Sequence, residues 1–317
     1  MKLLMLVIFF AIMVSVGIYA RKHATSVDGY VLGGRSVGPW LTAFAYGTSY
    51  FSAVVFVGYA GQFGWKYGLA STWIGIGNAI IGSLLAWVVL GRRTKVMTQH
   101  LNSKTMPDFF GERYGSKALK ITASAIVFIF LVPYTASVYN GLSRLFGMAF
   151  NIPYKYCVIG MAVFTGIYVI LGGYMATAIN DFIQGIIMLG GIVAVILAVL
   201  NGQGGFIQAI KTMAEIPSDV PVTMGQPGAF TSFFGPDPLN LLGVVILTSL
   251  GTWGLPQMVG KFYAIKDEKS INTGTVISTL FAIVISGGCY FLGGFGRLFD
   301  APEPVSYTHL TLPTIRL

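Results

Sequence analysis

Apolar runs of about twenty residues recur along this chain, and each is long enough to cross the hydrocarbon core of a bilayer. A soluble fold cannot absorb them. Only 10% of the residues are charged and 55% are hydrophobic, whereas a soluble domain carries roughly 25% charged residues to cover its surface. The chain is therefore read as an all-α, polytopic membrane protein whose first partner is the lipid bilayer. About eight spans can be drawn, near 2–20, 38–62, 69–91, 119–149, 155–172, 179–200, 239–262 and 273–296.

The first run could be mistaken for a secretion signal, since Lys2 precedes it. Its apolar stretch is long for a signal, and Arg21 and Lys22 follow it as a stop-transfer flank does, so a retained helix is expected. The net charge of +9 does not argue for a nucleic-acid partner, because the basic residues fall in short loops and not along one face. Their distribution instead orients the chain. Arg21, Lys22 and Arg35 follow the first span. Arg92, Arg93, Lys95, Lys104, Arg113, Lys117 and Lys120 follow the third, and Lys261, Lys266 and Lys269 follow the seventh. These are 13 of the 20 basic residues, and they place the three loops in the cytoplasm with the N-terminus outside. The 201–238 loop then lies outside as well.

Metal and enzyme chemistry find little footing. Cys157 and Cys289 sit in apolar runs and read as small buried hydrophobes. None of the three histidines pairs with a cysteine or carboxylate at ligand spacing. No nucleophile–base pair or pair of intramembrane carboxylates argues for an enzyme, and no cofactor is called for.

Two spans carry residues that could interrupt a helix inside the membrane. The second holds Gly58 and Gly61; the seventh holds Gly251, Gly254 and Pro256. Proline removes a backbone donor and clashes with the preceding turn. Asp181 is the one carboxylate drawn at the edge of a span. A charge at the centre of a membrane helix costs about 2.5–3.5 kcal/mol on insertion scales, so such residues tend to be functional. The plainer alternative is an acidic residue facing the helix dipole at the start of span six, with Asn180 as its cap.

Several stretches, in order and at consistent spacing, carry a family likeness: YVLGGRSVG at 30–38, GTSYFS at 47–52, KYGL at 66–69, TMPDFFGERY at 105–114, LGG at 171–173, NDFIQG at 180–185 and GLPQ at 254–257 leading to KFY at 261–263. Together they resemble the sodium/solute symporter family. The seventh span and the NDFIQG run look most like its sodium/pantothenate branch. YTAS at 134–137 with RLF at 144–146 looks more like the sodium/proline branch.

That resemblance implies an inverted-repeat transporter of five plus five core helices, with ions and solute at the midplane beside broken helices. Unwound backbone survives at that depth only where it lines a cavity, and its freed carbonyls can then serve a cation. Within a symporter domain over 1–305, residues 38–200 would form the first repeat and 239–298 the start of the second, after an extra N-terminal helix at 1–20. The run at 306–317 has neither helical nor loop logic and is expected to be a non-native tail, the protein itself continuing past 305.

Sodium is expected as the coupling ion, bound at Thr48 and Phe51, which flank the expected break in span two, and at Asp181. A small organic solute (an amino acid, vitamin or organic acid) is expected against Tyr50, Ser52, Asn78, Tyr134, Trp253 and Gln257, with Gly254 and Pro256 marking the second break. The proline branch has an aspartate where this chain has Tyr50, which argues against proline as the solute. The function implied is sodium-driven uptake across the cytoplasmic membrane by alternating access. The alternative is a membrane sensor that keeps the fold and signals through a domain beyond residue 305.

Overall fold

The computed structural model describes residues 2–52 and 54–299; the expected tail at 306–317 lies outside the described residues. Among these, helices follow one another as α1 (Lys2–Ala20), α2 (Val27–Leu32), α3 (Pro39–Tyr50), α4 (Ala60–Tyr67), α5 (Thr72–Gly77), α6 (Arg92–His100), α7 (Met106–Tyr114), α8 (Lys117–Phe150), α9 (Tyr154–Gly202), α10 (Phe206–Ala214), α11 (Pro238–Leu250), α12 (Pro256–Ala264), α13 (Glu268–Ala282) and α14 (Gly288–Gly294). Among the described residues, the one bridge between extended segments is a parallel one joining Val37 and Ile265.

Among the described residues, four helical stretches are long and apolar enough to cross a membrane: Ala60–His100, Lys117–Gly147, Tyr154–Gly202 and Glu268–Leu298. The broken pair α11 and α12 makes a fifth if counted as one. On α8, Phe128, Ile129 and Phe130 are left more than half exposed. Lipid accepts such a surface where water would not. Straight, α9 would run about 74 Å, more than twice the ~30 Å hydrocarbon core. It does not run straight. Gly173 breaks it with φ 54° and ψ −144°, and a Cβ there would meet the Tyr30 carbonyl at 2.7 Å.

This break corrects the reading of span six. The helix resumes directly after Gly173, so Asp181 lies about two turns inside it. Asn180 caps nothing: it is buried and its amide donates to the Met13 carbonyl at 3.5 Å. The glycines of span two are corrected likewise. Gly58 lies in a π-helical turn (Val54–Tyr59) and Gly61 in α4. The interruption falls between them and α3, with Phe51 in a turn and Ser52 outside any helix. Glycine permits a break but does not compel one, and neither Gly58 nor Gly61 has a positive φ.

The chain divides into two compact units. The first comprises residues 1–50, 85–185 and 254–278. Its centre is an aromatic trio, Tyr46 on α3, Trp87 and Phe262 on α12, with ring centroids 5.0–5.6 Å apart. The end of α12 is tied down beside it. Val37 N–H donates to Ala264 O at 3.2 Å, Lys266 N–H donates to Val37 O at 2.9 Å, and the buried Lys95 ammonium donates to the carbonyls of Tyr263 and Ile265. In α7, Thr105 caps the helix by accepting from Asp108 N–H, and Asp108 pairs with Lys120 of α8 at 2.6 Å.

Among the described residues, the second unit comprises 51–84, 186–253 and 279–299. Here α4 and α14 meet backbone to backbone. A Cβ at Gly64 would overlap the Gly293 carbonyl, and one at Gly293 would overlap the Ala60 carbonyl. Small residues at such crossings are how membrane helices approach closely. The 201–238 segment packs Ala209, Met213, Val220 and Phe230 with Phe295. Arg297 fastens it, reaching both oxygens of Asp219 (2.8 and 3.2 Å) and the Trp65 carbonyl.

Candidate cation and solute site

Asp181 sits in an apolar helix and yet has company. Its Oδ2 lies 3.5 Å from the Lys261 ammonium, and both side chains are largely buried. Thr48, in the last turn of α3 before the interruption, lies beside the carboxylate, while its own hydroxyl donates to the Phe44 carbonyl at 2.9 Å. The Tyr174 ring lies 5.2 Å from Lys261 Nζ, and Phe44 packs against Phe182 next door, the rings tilted by 58° with centroids 4.8 Å apart. The first unit thus gathers a carboxylate, an ammonium, a hydroxyl and an aromatic face from α3, α9 and α12.

Lys261 was placed in a cytoplasmic loop on its sequence. The structure corrects this: it is the sixth residue of α12 and 7% exposed. The apolar window ends at 262, so a window-based reading assigns a terminal lysine to the loop. The signal that could have found it is the rule that intramembrane charges pair.

The seventh span breaks over several residues. Gly251–Gly254 form a 3-10 turn, Leu255 is extended, and α12 begins at Pro256. Proline suits that first helical position because the N–H it lacks would have had no partner there. Next to it, Gln257 is unusual. Both its amide nitrogen and oxygen are buried with no hydrogen-bond partner among the described residues, which costs about 1–3 kcal/mol unless a ligand or water answers them.

Tyr134 lines a cavity of about 700 Å³ with Phe110, Ile126, Phe130, Leu255 and Pro256. The walls are almost wholly apolar and offer no charged partner to an ionic solute. Tyr50 is buried edge-on against Tyr46.

In the second unit, Phe51 is 1% exposed. Asn78 is the hub of a polar knot: its Oδ1 accepts from the hydroxyls of Thr248 (3.0 Å) and Ser249 (3.1 Å), and its Nδ2 donates to Ser286 (3.3 Å). Trp253 donates its indole N–H to the Ile81 carbonyl at 3.0 Å, inside the π-helical turn Asn78–Leu85. Both side chains are committed to holding helices together. Among the described residues no group of three or more His, Cys, Asp or Glu could hold a metal ion.

Long apolar helices, two of the apolar stretches interrupted and a paired carboxylate beside one interruption, mark a multi-pass α-helical membrane protein. The chain belongs to the sodium:solute symporter family, whose sequence profile matches residues 30–307. Proteins named sodium/proline symporter in Staphylococcus aureus strains JH9 and NCTC 8325 / PS 47 are 34% identical to it over 279 residues, 84% of this chain and 51% of theirs. The chain thus spans about half the length of the curated relatives it matches. A solved structure described as the substrate-bound outward-open state of a Na+-coupled sialic acid symporter superposes with a TM-score of 0.54 at 16% identity, covering 91% of this chain and 69% of that one. At that identity the likeness shows the all-α fold alone.

Proposed function

We propose that the protein takes part in sodium-coupled symport, in which sodium moving into the cell drives uptake of a small organic solute by alternating access. The observation that carries this reading is Asp181, a carboxylate held inside an apolar helix beside the last turn of an interrupted one. Apolar packing alone does not call for a carboxylate there, and transport of a monovalent cation would give it a role beyond its pairing with Lys261. Gln257 supplies the unanswered donor and acceptor that a polar solute would use. Proline heads the solutes to be tried because of the named relatives, and Tyr50 is the residue that argues for another. We place the protein in the cytoplasmic membrane with its N-terminus outside, on the basic loops that remain after Lys261 is removed from the count.

The experiment is uptake by the complete gene product in proteoliposomes, across amino acids, vitamins and small organic acids. An inward sodium gradient should drive accumulation of one of them at least tenfold above an equal potassium gradient, a difference of about 1.4 kcal/mol. Equal uptake in both would refute the reading. For orientation, a cysteine replacing the exposed Glu112 should resist an impermeant thiol reagent in intact cells, since Cys157 and Cys289 are both buried. Labelling from outside would reverse the topology.

A further inference from the structure

Resting on the symport reading, we propose that Lys261 is a built-in competitor for sodium at Asp181: its ammonium occupies the carboxylate when the ion is absent and must be displaced when it binds. Neither charge is easily left alone at membrane depth, so in the ion-free protein each answers the other. An arriving sodium ion changes that balance. Two unit positive charges about 4 Å apart repel by about 4 kcal/mol at an effective dielectric constant near 20, so ion and ammonium cannot share one carboxylate cheaply.

The geometry favours exchange. At 3.5 Å the contact is longer than the 2.7–3.2 Å of a well-formed N–H···O bond. The ammonium hangs from a flexible four-carbon stem, and the Tyr174 face at 5.2 Å offers it a second hold, since a cation over an aromatic ring is stabilised when desolvated. Thr48 presents a hydroxyl beside the same carboxylate. Lys261 rides on α12 and Asp181 on α9. Displacing the ammonium therefore unties one helix from the other, which links arrival of the ion to movement of α12. Lys261 acts as a positioning residue that sets how tightly sodium is held and what it releases.

The test uses the complete gene product, titrated with sodium chloride against choline chloride, with half-saturation read from uptake and from thermal stability. Lys261→Met should lower the half-saturating sodium concentration roughly fivefold or more, the range of typical coupling between two ligands. Lys261→Arg, which keeps the charge and can grip the carboxylate with two N–H groups, should raise it. In sodium-free buffer a double-mutant cycle with Asp181→Asn should show coupling between the two positions, and saturating sodium should abolish that coupling.

An unchanged or raised half-saturation in folded Lys261→Met overturns the inference, as does absent coupling without sodium. Should Lys261→Met fail to fold with its carboxylate unpaired, the uncharged Asp181→Asn/Lys261→Met pair decides. It should fold and lose stabilisation by sodium; retained stabilisation overturns the inference. A wild type that transports with sodium but shows no coupling sinks this inference alone. A wild type indifferent to sodium removes the symport reading and this inference with it.

Discussion

The seam between α4 and α14 in the second unit and the charged layer on α3, α9 and α12 in the first are packed by opposite means. At the seam, glycine meets backbone, and nothing in the contact can rotate or extend. In the layer, long side chains do the filling: an ammonium within reach of both a carboxylate and a tyrosine ring. Backbone contact specifies one distance. Side-chain contact of this second kind tolerates exchange, which is what a passing ion requires. The seam is suited to hold and the layer to respond.

The comparison breaks most readily at the seam. Gly293→Ala drives a methyl group into the Ala60 carbonyl, and backbone cannot yield as a flexible side chain can. The cost should reach or exceed the ~1–3 kcal/mol of overpacking, seen as loss of monodisperse protein after extraction. Gly190→Ala, whose new methyl would meet nothing within 4 Å, should behave as wild type. Equal behaviour of the two variants would show that the seam is not tight.

Within the first unit, Trp87→Ala removes a fully buried ring from the aromatic trio and should cost about 3–5 kcal/mol, read as a lowered melting temperature. A shift no larger than that of a surface substitution would mean the trio is incidental.

Gln257→Leu separates holding from responding more finely. Removing an unanswered buried amide should leave stability unchanged or raise it by about 1 kcal/mol, while solute uptake falls. Loss of stability with uptake intact would remove Gln257 from the solute site.

The smallest effect lies outside the membrane. At Asp108 burial raises the carboxyl pKa, but hydrogen bonds from Lys120 and Thr105 outweigh it and leave the pKa below its ordinary value. The folded pKa is depressed, so this stabilisation is present above the ordinary carboxylate range and is lost as pH falls through the lowered value. The pair is partly exposed, so its contribution to stability is small. The melting-temperature difference between wild type and Asp108→Asn should shrink on acidification below pH 4 or so. A difference constant down to pH 3 would show that the pair contributes nothing.

How much of this could be read from the sequence divides along the same line. The apolar runs announced the helices, because length and hydropathy are local properties. Pro256 announced the start of α12 for the same reason. The exact place where span two opens was not legible, since Gly58 and Gly61 tolerate a helix as readily as they end one. Asp181 stood out as a charge in an apolar run, but its partner is eighty residues away in the sequence, and pairing at that separation leaves no local pattern. Asn78 was visible as a polar residue in a span. That its amide ties three other polar side chains together is a property of the assembled helices alone.

The fastening of α12 at Ile265 has a mechanical consequence. One end of this helix is clamped by the Val37 bridge and the Lys95 ammonium; the other begins at an extended Leu255 with no helix continuing into it. It is a cantilever. Lys261 stands about 6 Å from the clamp and Pro256 about 13 Å, at 1.5 Å per residue. A tilt about the fixed end that shifts Lys261 by a given amount therefore shifts Pro256, and Gln257 nearly as far, by about twice as much.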